Sequence, residues 1–207
     1  MKDYNELNSL ELDTLKEVGS IGTGNAATAL SELIGQEVRI QEPEVRIMEY
    51  NEAIDWIGGP EEVTAGVLVR ISGKMSGIML SVQKLDFVNL VLKSMMDREV
   101  EDYFGLREME SSALVEVGNI MISTFINALT GLANIDVDLS VPAFTVDMQG
   151  AIMSVPMAAY GGQSNYIMTI GGKFICNGVE VPCRLMMSPD IRSLDFLLRK
   201  LGVSGGE

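Results

Sequence analysis

Residues 11–33 read ELDTLKEVGSIGTGNAATALSEL, and residues 110–132 read ESSALVEVGNIMISTFINALTGL. Laid over one another at an offset of ninety-nine, they agree at Leu15/Leu114, Glu17/Glu116, Val18/Val117, Gly19/Gly118, Ile21/Ile120, Ala29/Ala128, Leu30/Leu129 and Leu33/Leu132. The register continues to Val38/Val137 and Pro43/Pro142, and ISGK at 71–74 aligns with IGGK at 170–173. The second copy then carries about ten extra residues before DFVNLVLKSM (86–95) meets its counterpart DFLLRKLG (195–202). Two copies make a fused pseudo-dimer, since a solenoid needs more repeats to bury its faces. The expectation is one domain over residues 1–207, built of repeats spanning about 9–100 and 107–203.

Each copy reads alike. Apolar residues at helical spacing predict helices over roughly 9–34 and 107–132. The alternating segments VRIQEPEVRIMEY and VDLSVPAFTVDMQ predict strands, and the proline inside each implies an edge position or a break. NEAIDWIGGPEE is a short helix or loop; TAGVLVRISGKM and SGIMLSV are two strands joined by a Gly-Lys turn. KLDFVNLVLKSMMD and SPDIRSLDFLLRKLG are amphipathic helices, the second starting at Ser188-Pro189, and Ser204-Gly205-Gly206 reads as a frayed end. Hairpin-length connections cannot make parallel crossovers, so the fold class is α/β (α+β), a mainly antiparallel sheet packed with long helices in pseudo-two-fold halves.

Gly19, Gly22 and Gly24 crowd together as in a phosphate loop. A dinucleotide fingerprint, however, runs strand, glycine turn, helix, and these glycines follow a helical stretch with the wrong spacing. In the second copy Gly22 and Gly24 become Met121 and Ser123, so small residues that let two helices approach explain the run better.

The net charge of −14 sets the surface against nucleic-acid phosphates and anionic lipid, and no basic patch offsets it. The start, MKDYNELNSLELD, has no apolar leader, and no uninterrupted apolar run reaches membrane-spanning length. Cys176 and Cys183 read as small buried thiols, and the fourteen methionines, Met95, Met96, Met186 and Met187 among them, as packing residues. A cytoplasmic, reducing location is expected.

Few polar residues stay in register once the apolar matches are removed. Ser112, Glu116 and Asn119 share one helical face, and Asp13, Glu17 and Ser20 hold the same places in the first copy. Each third member is followed twenty-three residues later by Pro142 or Pro43. A carboxylate beside an amide can hold a partner's cation while the amide orients one water. With no histidine in the chain and one carboxylate per site, neither a nucleophile dyad nor a metal cage forms. The solvated face of an amphipathic helix would carry the same pair.

The pattern Asp/Ser-x3-Glu-x2-Asn-x22-Pro, present twice in a duplicated chain, resembles the CheC/CheX/FliY family of chemotaxis phosphatases; the likeness runs from about residue 9 to the end and includes VDMQGAI at 146–152. The resemblance implies a substrate, phospho-CheY, whose aspartyl phosphate lies in the regulator's own Mg2+ site. It implies that Glu116 binds the regulator's lysine, that Asn119 orients the attacking water, and that the phosphatase needs no cofactor of its own. Ser112, Asp13, Pro142 and Pro43 are then supporting positions. The first copy departs from the pattern: Ser20 stands where the asparagine belongs. Serine is shorter and lacks the amide's donor-and-acceptor fork, so the Glu17/Ser20 site is expected to be weak or inactive. The rival expectations are a non-catalytic module like the flagellar-switch protein FliM, and an adaptor for the deamidase CheD, which CheC proteins bind. A monomer is expected, because fusion of the halves removes one reason to dimerise.

Overall fold

The computed structural model describes residues 4–203, so the Ser204-Gly205-Gly206 end lies outside the described residues. A 3-10 turn (Tyr4–Glu6) precedes α1 (Ser9–Ile34), β1 (Val38–Glu49), α2 (Tyr50–Ile57), β2 (Val63–Gly73), β3 (Gly77–Gln83) and α3 (Leu85–Met96). A second 3-10 turn (Tyr103–Gly105) leads to α4 (Glu108–Ala133), β4 (Val137–Leu139), β5 (Ala143–Met148), α5 (Gln149–Tyr160), β6 (Tyr166–Cys176), β7 (Val179–Pro189) and α6 (Ile191–Lys200).

All strand pairs are antiparallel, in the order β1-β6-β7-β3-β2-β4, with β5 also on β2. The first strand of each half therefore leaves its own hairpin and pairs with the hairpin of the other: β1 with β6, and β4 and β5 with β2. The prolines fall where a missing N–H costs least. Pro43 sits on outer strand β1 within the register irregularity between Gln41 and Glu44, beside Glu42 at φ 53°. Pro142 lies in the break between β4 and β5, at the other edge.

Three local expectations are corrected. ISGK and IGGK are not structural equivalents: Gly73 ends β2 at a turn, whereas residues 170–173 lie inside β6, whose turn comes at Asn177-Gly178. Glu49 pairs with Tyr166 while Met148 pairs with Val63, so the hairpins differ by 103 positions, and four of the added residues enter ahead of them, where α5 has 12 residues against 8 in α2. Ser188-Pro189 still belongs to β7; α6 is capped by Asp190, which accepts from the N–H groups of Arg192 and Ser193.

The sheet has helices on both faces. Leu15, Leu30, Leu114, Phe125, Val69, Met79, Phe174 and Leu197 belong to the larger core, which joins α1, α3, α4 and α6 to one face. Tyr50, Ile57, Leu80, Ile152, Met153 and Met186 join α2 and α5 to the other. Long, apolar α4 could span a membrane by composition alone, but Leu114, Met121, Ile122, Phe125 and Leu129 are packed into this core, as in a core helix of a globular protein. The glycine run divides by role. A Cβ on Gly22 would strike the Phe125 ring of α4, as the helix-approach reading requires. Gly19 and Gly118 instead seat their helices on strands, against Val45 and Val67, and Gly24 faces open space.

Both long helices begin on a glutamate that reaches back to cap them. Glu11 accepts from the N–H of Asn8, and Glu110 from that of Arg107 and from Arg98. The N–H groups of Glu110 itself and of Arg107 hold its carboxyl below the usual 4.5, against the opposing effect of burial and with help from the Arg98 and Arg107 charges. A carboxyl depressed on folding contributes stability that is complete above 4.5 and lost as pH falls through the lower folded value. Glu110→Gln should therefore be less stable than wild type at pH 7, and the gap should close in acid. Urea midpoints taken from pH 7 to 3 check this, and a gap that stays constant with pH would count against it.

Candidate functional site

Helix α4 turns Leu114, Val117, Gly118 and Met121 into the core, which leaves Ser112 and Glu116 exposed and Asn119 half-buried on the opposite side. Beneath it, Val67 supports Gly118 and pairs with Phe144, so the chain entering β5 passes beside the helix. That passage brings Pro142 to the polar face. A shallow cavity of about 460 Å³ results, lined by Glu108, Ser111, Ser112, Val115, Glu116, Asn119 and Pro142. Four positions read from the sequence as one pattern thus share one hollow, although Pro142 is in another element. Among the described residues neither Glu116 nor Asn119 spends its side chain on a hydrogen bond or ion pair.

The first half is arranged differently. Asp13, Glu17 and Ser20 are exposed along α1, and Asp13 is held by Lys16 at 3.1 Å. Pro43 lines a separate cavity of about 510 Å³ with Glu42, Glu44, Arg46, Trp56 and Arg184, whose guanidinium lies 4.1 Å over the Trp56 ring.

Other chemistries find little support in these side chains. Cys176 and Cys183 are free and buried, and burial pushes the Cys183 thiol up to about 12, so it stays protonated near neutrality. Among the described residues no three of His, Cys, Asp and Glu gather into a metal-holding group. Sequence reading passed over Glu108 and Val115, which also line the Asn119 cavity; their helical spacing from Ser112 and Asn119 was the available signal. It also passed over Glu11 and Glu110, a polar match at the same offset whose role is capping.

Two segments, residues 10–46 and 109–146, match the model of the CheC-like family, one in each half. The CheY-P phosphatase CheC of Bacillus subtilis (strain 168) is 27% identical over 99% of this chain and 100% of its own. The crystal structure of Thermotoga maritima FliY matches with a TM-score of 0.73 at 21% identity, covering 96% of this chain and 99% of that one. A chain of the CheX-CheY-BeF3-Mg+2 complex from Borrelia burgdorferi matches at 0.52 and 17% identity, covering 86% of this chain and 99% of that one. The fold is therefore the one found in FliY.

Proposed function

This chain is CheC-like in both of its halves, and on that premise we propose that it hydrolyses the aspartyl phosphate of a CheY-type response regulator at the Asn119 site. The observation that carries the reading is the cavity that joins Ser112, Glu116, Asn119 and Pro142, with the carboxylate and amide both unengaged among the described residues. A fold shared with FliY does not by itself confer an activity; the reading rests on the site and on the whole-length relative.

Glu116 anchors the regulator's active-site lysine and so lays α4 across the phosphorylation pocket. Asn119 accepts a hydrogen bond from one water and donates its own N–H toward the phosphoryl oxygens, holding the water in line with phosphorus. Water adds, the bond from phosphorus to the aspartyl oxygen breaks, and the products are a free carboxylate and inorganic phosphate. The reaction is mostly positioning and charge stabilisation, and Mg2+ belongs to the regulator's own pocket. The phosphatase contributes no cofactor and acts as a cytoplasmic monomer. Ser112 and Pro142 shape the cavity; Asp13 supports α1 or its docking face, and Pro43 lines a separate hollow.

Phosphate release from the host's own phospho-CheY, timed with and without this protein, tests the reading. Acceleration at substoichiometric amounts is expected. Binding without acceleration would instead favour a switch-like module, and a stable complex with CheD that survives loss of both Glu116 and Asn119 would mark an adaptor. Ser20→Asn should raise turnover, by no more than about twofold if the first half became a second equal site. A Ser20→Asn protein no faster than wild type would show that more than the amide is missing there.

A further inference from the structure

The second-half site is flanked by exposed apolar side chains that the first half mostly lacks, and we infer that this apolar rim is the surface on which the regulator docks. The partner's identity rests on the phosphatase reading above. Met109 is 71% exposed and stands seven residues before Glu116, about 20° from it around the helix. Val115 lines the cavity itself. Val141, at 87% exposure, immediately precedes the cavity-lining Pro142. Scattered apolar residues on a surface need no explanation. Met109, Val115, Val141 and Pro142 are not scattered: they border a carboxylate and an amide that have no partner among the described residues.

At the same offset the first half has Leu10, Lys16 and Glu42. Leu10 is 59% exposed, but Lys16 is an exposed cation 3.1 Å from Asp13, and Glu42 is an exposed carboxylate 3.8 Å from Lys173. Two of the three rim positions are therefore charged in the half that carries Ser20 in place of an asparagine.

The rim has a physical task. With a net charge of −14 the surface offers little general attraction to a phosphorylated, anionic partner, so affinity must come from local contacts. Apolar burial around Glu116 supplies it, and also removes water from the Glu116–lysine pair, which strengthens the pair. The partner surface that fits is apolar around a pocket presenting a lysine and a phosphoryl group. Docking there leaves room for the one water that Asn119 holds.

The test is Val141→Glu, which copies Glu42 of the first half, with Val141→Ile as the conservative control. Two quantities are read: affinity for the host's CheY activated with beryllofluoride and Mg2+, and KM and kcat for phospho-CheY. Val141→Glu should weaken binding and raise KM about tenfold with kcat little changed, while Val141→Ile stays near wild type. If wild type turns over and Val141→Glu binds equally well, the rim inference fails and the phosphatase reading stands. If wild type binds without turnover and Val141→Glu loses binding, the rim stands and the catalytic reading fails. If wild type neither binds nor accelerates, both fail. A gain-of-function arm uses the Asn119→Ala protein as background: Ser20→Asn with Lys16→Val and Glu42→Val should recover more turnover than Ser20→Asn alone, and equal recovery would overturn the inference.

Discussion

Asn119→Ala is expected to cut the acceleration of phosphate release by about 10²–10³-fold while moving stability by less than about 0.5 kcal/mol. The two halves of that expectation rest on different observations. Stability is spared because the Asn119 side chain is half-buried at the cavity and makes no hydrogen bond among the described residues, so its removal orphans no partner. Alanine also has the higher helix propensity, which works slightly in the variant's favour. Activity is lost because only the amide offers, on one rigid group, an acceptor for the water and a donor for the phosphoryl oxygens. An alanine leaves the water free to tumble, and an entropic advantage of several kcal/mol disappears with its orientation. Asn119→Asp sharpens the test: it keeps the shape but loses the N–H donor and places a negative charge facing a phosphoryl group, so it should be no better than alanine. Thermal melts beside kcat measurements decide the matter. An Asn119→Ala protein that still accelerates phosphate loss would mean that the Glu-x-x-Asn face is only a solvated helix surface.

The candidate site was legible in the sequence as one helical face largely because it is local. Ser112, Glu116 and Asn119 lie within two turns of one helix, and a helix converts spacing into direction without help from the rest of the fold. Pro142 was legible as a recurring residue but not as a neighbour. Its place beside α4 depends on β5 pairing with β2, and nothing in AFTVDM names that partner. The exchange of β1 and β5 between the halves was hidden for the same reason: alternation reports which face of a strand is buried, not which strand lies alongside. The edge positions of both proline-bearing strands could be read, because an absent N–H is a property of the residue itself. Helix α5 was missed because QGAIMSVPMAAY is apolar on nearly every side and carries Pro156, so no polar face marks a period. The ISGK match misled because short glycine-lysine strings recur by chance, and only the pairing ladder could show that one ends a strand while the other lies inside one.

Gly118→Ala should lower stability by about 1–2 kcal/mol and kcat by about 10²-fold, although alanine is the better helix former. Two effects compete. Replacing a mid-helix glycine by alanine favours the helix by about 1 kcal/mol. Against this, a Cβ on Gly118 would lie 2.7 Å from both Cβ and Cγ2 of Val67 and 2.9 Å from Nε2 of Gln83. Neither neighbour can easily give way. Val67 is fully buried in β2, between Ser81 of β3 and Phe144 of β5, and its Cβ cannot move without its backbone. Gln83 Nε2 is held by the Leu114 carbonyl at 3.1 Å. Comfortable carbon contacts need about 3.5–4.0 Å, so α4 must lift from the sheet by roughly 1 Å, and overpacking of this kind costs about 1–3 kcal/mol. The strain therefore outweighs the propensity gain. Because Asn119 is the next residue, the same lift displaces the water-holding amide, and catalysis should fall much further than the folded fraction. Gly19→Ala is the internal control. Its Cβ would come within 2.1 Å of Val45 Cγ2, a terminal methyl on outer strand β1, with the next atom at 3.6 Å. Rotation of the Val45 side chain about χ1 and movement of an edge strand relieve the clash, and the adjacent Ser20 site is expected to carry little turnover, so kcat should hold. Urea denaturation and kcat for both variants check the pair. A Gly118→Ala protein that is active in proportion to its folded fraction would show that the seat of α4 on Val67 does not position the amide.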